Sequence, residues 1–294
     1  MTQLIPCTPR YRLDRDVILS ETTSLQVTEC LARLRFHRTI YVDWNFAAAD
    51  PMGLCTVINF YGPPGTGKTL AAEAIAGQLG LKFLPLGIAE IESKFLGETA
   101  KNIHAAFETA RDEQALLFFD EADTLLGKRL SPVTQGVDNE VNAMRSTLLI
   151  ELERFDGIVV FATNFERNYD AAFRSRIGYH IRFDLPDFAA RRRLWDRLMV
   201  DGIPLDADRD SLLTHCAEMS DGFSGRELRT CMRLALPKAL LAAEAAGTAP
   251  ALRRQHLDEA VAGVRRAMKE VAAPVSPVRS DSDTATARRM LGVA

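Results

Sequence analysis

The chain has 294 residues, 47% of them hydrophobic and 26% charged, the balance of an ordinary globular protein rather than of a disordered or fibrous one. Lys plus Arg number 36 against 39 Asp plus Glu, so the net charge is −3 and no strong basic field exists for nucleic-acid binding. The longest apolar runs, such as Ala115 to Phe119, fall far short of the roughly 20 residues that span a bilayer, and no secretory h-region or CxxC pair occurs. These features lead to the expectation of a cytoplasmic chain with neither disulfide framework nor zinc site.

In chain order, residues 1–50 read as a short N-terminal leader, with a helix from about Ser24 to Arg35 and an extended piece, TIYVDW. Residues 51–186 alternate β-rich runs (TVINFY, LKFLPL, ALLFF, GIVVFAT, YHIRFDL) with helical ones (LAAEAIAGQL, Thr99 to Asp112, VNAMRSTLLIELERF). That alternation predicts an α/β domain whose mostly parallel sheet is covered on both faces. After Pro186 the strands stop, and residues 187–271 read as a small all-helical domain hinged at LPD. The tail, 272–294, is rich in Pro, Ser, Asp and Ala and is expected to be disordered.

Gly62-Pro63-Pro64-Gly65-Thr66-Gly67-Lys68-Thr69 matches GxxxxGK[ST], follows a strand-like run and opens a helix, which is the context the motif requires. Its glycines let backbone N–H groups converge on phosphate oxygens at a helix N-terminus. Lys68 supplies a full positive charge at the β- and γ-phosphates, and the Thr69 hydroxyl suits Mg²⁺. The nucleotide-binding stretch is taken as Gly62 to Thr69 with Leu70. ALLFFDEAD provides the complement: a buried strand delivers Asp120, suited to hold Mg²⁺, at its C-terminal end, where open parallel sheets bind ligands. Glu121 beside it suits polarisation of an attacking water. The letters of this motif also occur in RNA helicases, but no second strand-rich motor domain follows. Ser224 and Glu227 form an S-x-x-E capping box, so a helix starts there and places Arg226 in an already electropositive first turn, where an anionic partner would relieve it.

With GPPGTGKT as the phosphate loop, the sequence resembles the AAA+ ATPases over roughly residues 50 to 270. The resemblance implies ATP and Mg²⁺ as ligands and a homo-hexameric ring. It makes Asn164, in FATN, the sensor that positions the hydrolytic water. It makes Lys94, Phe95, Leu96 and Gly97 a pore loop gripping an extended polypeptide. Asp170-Ala-Ala-Phe-Arg174-Ser-Arg176 aligns with the stretch carrying arginine fingers, Arg176 being the better match and Arg174 the second candidate. Arg226 in GFSGRELR corresponds to a second γ-phosphate sensor. Together with VDNEVNAMRSTLLIELE, these wordings resemble the pachytene-checkpoint (Trip-thirteen-like) branch, whose members open HORMA-domain proteins. Bacterial relatives stand beside HORMA proteins and nucleotidyltransferases in antiphage signalling. The implied function is ATP-driven remodelling of a HORMA complex, with no membrane and no direct nucleic-acid partner. Phe95 departs from the tryptophan of the eukaryotic members, and YHIRF is also similar to Rubisco activases. A Rubisco-activase-like or secretion-associated remodeller, or a nucleotide-gated scaffold, are the alternatives.

Overall fold

The computed structural model describes residues 4–50, 55–87, 98–127, 136–164 and 169–272. The chain opens with α1 (Leu13–Asp16) and α2 (Glu21–Arg38). The α/β part follows as β1 (Thr56–Tyr61), α3 (Lys68–Leu79), β2 (Lys82–Gly87), α4 (Glu98–Asp112), β3 (Ala115–Asp120), α5 (Asp123–Leu126), α6 (Gly136–Arg154), β4 (Ile158–Thr163), α7 (Ala171–Arg176) and β5 (Tyr179–Arg182). The strands form one sheet in the order β2-β3-β4-β1-β5, and every pairing is parallel.

Strands buried on both faces must be apolar at consecutive positions, which is why these segments read as unbroken runs. In β3, Leu116 and Phe118 join a core built with α2 and α3, through Val27, Cys30, Ala72 and Ile75. Leu117 and Phe119 point the other way, into a core with Phe107 of α4, Leu148 and Leu152 of α6 and Phe173 of α7. The expected sheet with helices on both faces is therefore what the chain forms.

The segment read as a leader lies against this domain. Cys7 and Phe83 exchange two backbone hydrogen bonds of 2.8 Å at β2. Chain 9–11 crosses α3 at Gly77, where a Cβ would lie 2.6 Å from the Tyr11 carbonyl oxygen, and the Arg10 side chain pairs with Glu73. Thr23 Oγ1 donates to the Arg182 carbonyl at 2.8 Å, fastening α2 to β5. The extended TIYVDW is corrected: Thr39–Asp43 carries α2 onward as a π-helical turn, followed by a 3₁₀ turn at Phe46–Ala48. Buried Tyr41 decides this. Its ring stacks on His37 with centroids 4.6 Å apart, and its hydroxyl accepts from Arg33 Nη2 and donates to Asp50 Oδ2, at 3.1 and 2.9 Å. Those contacts outweigh the strand preference of Ile, Tyr and Val.

Beyond Pro186, α8 (Phe188–Leu198), α9 (Arg209–Met219), α10 (Gly225–Ala246) and α11 (Arg254–Ala272) form the expected helical unit. Its own core contains Trp195, Leu212, Phe223, Leu228 and Leu257. The Trp195 indole N–H donates to Ser220 Oγ at 3.0 Å, so the largest core side chain leaves no polar atom unmatched. None of the described helices is long and apolar enough to cross a membrane. The tail beyond Ala272 lies outside the described residues.

Candidate nucleotide site

The site lies at the carboxyl edge of the sheet. Tyr61 at the end of β1 pairs with Thr163 at the end of β4, and Phe119 of β3 pairs with Phe161. The loop leaving β1, the carboxylate ending β3 and the asparagine following β4 are thus forced together by strand register.

The loop needs its glycines. Gly62 has φ +135°, and a Cβ there would lie 2.2 Å from the Phe183 carbonyl oxygen. Gly67 (φ +98°) caps α3 in the left-handed region. Thr66 Oγ1 donates to the Pro63 carbonyl at 2.9 Å and tightens the turn.

Lys68 is buried, and its Nζ donates to Gly62 O, Pro63 O and Asn164 Oδ1, at 2.7, 2.9 and 3.1 Å. Burial lowers its pKa from the ordinary lysine value; Asp120 and Asp123 oppose this, and Arg226 adds to it. Thr69 Oγ1 donates to Asp120 Oδ2 at 3.2 Å. A hydroxyl and a carboxylate held this close form a hard-oxygen pair that fits Mg²⁺, which takes few protein ligands and completes its shell with phosphate and water.

Glu121 adopts φ +53°, a conformation rarely taken by residues other than glycine. Its N–H donates to Asp120 Oδ1 at 3.0 Å, and Ala122 N–H donates to Ala162 O at 2.9 Å, so the turn is fixed to β4 while the Glu121 side chain stays exposed. Such backbone strain typically accompanies functional positions.

The helical unit reaches the same loop. Ser224 N–H donates to Glu227 Oε2 at 2.7 Å, completing the capping box at the start of α10. A Cβ on Gly65 would lie 2.6 Å from Ser224 Oγ and 2.7 Å from Arg226 Cβ. Arg226 therefore stands over the phosphate loop, although it lies more than 150 residues further along the chain.

Asp123 escaped the sequence reading. Its Oδ1 accepts the Asn164 backbone N–H at 3.0 Å and helps keep Lys68 charged. The signal was present: it is the fourth letter of the Asp-Glu-Ala-Asp run, three residues after Asp120.

Among the described residues no hydrogen bond or ion pair joins Arg174 or Arg176 to Lys68, whose partners are Gly62, Pro63 and Asn164. Both arginines stand on α7; Arg174 is exposed. Arg176 pairs with Glu153 of α6 and donates from Nη1 to Ala172 O at 2.9 Å, while its Nε is buried without a partner among the described residues. Lys94, Phe95, Leu96 and Gly97 lie outside the described residues.

A phosphate loop opening a helix at the carboxyl edge of a β2-β3-β4-β1-β5 sheet, with the first turn of a helical lid against it, defines a nucleotide-binding domain of the AAA+ architecture. Residues 58–185 match the ATPase family associated with various cellular activities (AAA). The chain is 36% identical over 184 residues to the Cell division cycle protein 48 homolog of Archaeoglobus fulgidus, covering 61% of this chain and 25% of that protein. It is 35% identical over 176 residues to the proteasome-activating nucleotidase of Methanopyrus kandleri, covering 58% of this chain and 39% of that protein. The matched region thus spans well under half the length of these relatives. The fold is shared with the FIGL-1 AAA domain solved in complex with ADP, at a TM-score of 0.65 and 20% identity, covering 98% of this chain and 94% of that one.

Proposed function

We propose that the chain hydrolyses ATP and couples hydrolysis to remodelling of another protein. The observation that carries this is the convergence, from four separate segments, of Lys68, the Thr69–Asp120 pair, Asn164 and Arg226 around one loop. In this reading Lys68 and the backbone of Gly62 to Thr69 with Leu70 bind the phosphates. Glu121 polarises the attacking water, Asn164 orients it, and Arg226 reads the γ-phosphate from the lid. A magnesium ion held by Thr69 and Asp120 would neutralise charge on the phosphate oxygens. The two working units are residues 51–186 and 187–271. Six copies form a cytoplasmic ring in which Arg176, assisted by Arg174, serves the neighbour's site, and Lys94 to Gly97 grip the client. The wording GFSGRELR supports a HORMA-domain protein as that client, with a nucleotidyltransferase as a further member of its complex.

Glu121→Gln should keep ATP binding and lose hydrolysis, whereas Lys68→Ala should lose binding; equilibrium nucleotide binding and phosphate release measure the two. Phe95→Ala should leave the ATPase rate within a few-fold and abolish dissociation of a HORMA complex. A Glu121→Gln protein that turns over at the wild-type rate would remove the hydrolytic assignment. Mixing Arg176→Ala with Lys68→Ala protein, each inactive alone, should restore part of the rate through hybrid interfaces, since trans fingers contribute on the order of 10³ or more.

A further inference from the structure

Between the nucleotide site and α7, one face of the sheet carries a polar cluster where neighbouring positions are apolar. Asn59, in the middle of interior strand β1, is fully buried. Its strand neighbours on that face are Val57, buried, and Phe161, its partner on β4. The Asn59 Nδ2 donates to the Tyr169 hydroxyl at 3.0 Å and lies 3.4 Å from His180 Nδ1 on β5. The Tyr169 hydroxyl also shares a hydrogen bond with Thr163 Oγ1, at 3.1 Å. The Asn59 Oδ1 is buried with no hydrogen-bond partner among the described residues. A leucine at 59 and a phenylalanine at 169 would fill the same space without leaving a buried acceptor unmatched, a state that is costly in any fold.

The members of this cluster are placed to matter. Thr163 immediately precedes Asn164, whose side chain accepts from Lys68. Tyr169 immediately precedes Asp170, whose carboxylate caps α7 by accepting from Ala172 N–H at 2.8 Å, and α7 bears Arg174 and Arg176. Tyr169 also bridges to Gly127, and Asp170 N–H donates to Leu126 O at 2.8 Å, at the end of the helix that starts with Asp123. Asp123 in turn holds the Asn164 backbone. The hydroxyl of Tyr169 thus joins the strand that leads into the phosphate loop to the strand that ends at Thr163, one residue before Asn164, while the Tyr169 backbone lies two residues ahead of the helix that carries the arginines.

We propose that Tyr169 is a positioning residue for hydrolysis: its hydroxyl, held between Asn59 and Thr163, fixes Asn164 relative to α7, so that the water-orienting side chain and the arginine helix keep one mutual geometry. This rests on the ATPase reading above. Asn59 and Tyr169 act after nucleotide is bound, because their hydrogen-bond partners among the described residues are Thr163, His180 and each other rather than the phosphate loop.

Tyr169→Phe and Asn59→Leu, singly and combined, test it in the full-length assembled protein. Each single variant should lower kcat roughly tenfold, the effect of one lost buried hydrogen bond on a barrier. KM for ATP and the Kd for nucleotide should stay within about twofold, since the loss is felt in the transition state only. The double variant should be no slower than the slower single, because both remove the same contact. The melting temperature should move by no more than a few degrees. If Tyr169→Phe does not fold, Thr163→Val removes the other partner of the same hydroxyl and carries the same expectation. Wild-type kcat in the variants, strictly additive losses, or losses that track a collapse in melting temperature would each overturn the proposal. A wild-type protein that hydrolyses no ATP would overturn the ATPase reading and this inference with it, whereas an active wild type with unaffected variants overturns the inference alone.

Discussion

Two glycines of the phosphate loop share a left-handed backbone but not the same surroundings. A Cβ on Gly62 would run into the Phe183 carbonyl, while around Gly67 nothing lies within 4 Å. Alanine at 67 therefore meets only the backbone penalty, about 1 kcal/mol, whereas alanine at 62 must also push β5 away from β1. Gly62→Ala should lower the melting temperature several degrees more than Gly67→Ala, as differential scanning calorimetry would show. At this scale the motif was legible, because GxxxxGK[ST] states which positions must be glycine and which must carry charge. Asn59 and Tyr169 were not legible. Each is a single unremarkable letter in a strand or a loop, and only the β1–β4 register and the chain's return ahead of α7 bring them within 3.0 Å.

Among the elements, the five strands could be read from composition, and β2 could even be placed. Pro85 cannot donate to a ladder, so KFLPLG belongs at a sheet edge, where β2 lies. The start of α10 was equally readable from its capping box. What it rests on was not, since its contact with the phosphate loop spans more than 150 residues of chain. That contact yields a prediction. Gly65→Ala would place a methyl within 2.7 Å of both Ser224 Oγ and Arg226 Cβ, and so wedge the lid's first turn off the loop. ATP turnover should fall by about tenfold or more with the fold retained. An intact circular-dichroism spectrum together with unchanged kcat would mean that the lid contact is dispensable. The misread TIYVDW teaches the converse: β-branched and aromatic letters promise a strand only where a sheet is available, and here buried Tyr41 fixes a helical continuation instead.

For the whole molecule, the first 40 residues tie the parts together. Asp16 Oδ1 accepts from Arg197 Nη2 of α8 at 2.7 Å, and Arg197 Nη1 donates to Arg15 O at 2.8 Å, so α1 joins the helical unit to the face that carries α3. The Arg15 side chain first, then the Arg12 backbone N–H, with further help from Arg197, holds the Asp16 carboxyl well below the usual range. The folded state therefore prefers the charged form. Its contribution is complete above the unfolded value of 3.8 and is lost progressively as pH falls below it toward the folded value. Asp16→Asn should melt below the wild type at pH 7, and the gap should shrink as the pH drops below about 4. A gap that stays constant down to pH 2.5 would mean that the ion pairs of Asp16 do not secure this junction.

The bridge between Cys7 and Phe83 bears on a different property of the protein, its solubility. β2 is an outermost strand, and a bare strand edge offers unpaired N–H and C=O groups to any other extended chain. Cys7 occupies that edge at Phe83, with Pro9 and Tyr11 following closely over α3. The N-terminal stretch is thus a cap on a surface that would otherwise recruit a second strand, and its removal would first be felt as concentration-dependent aggregation rather than as a loss of chemistry.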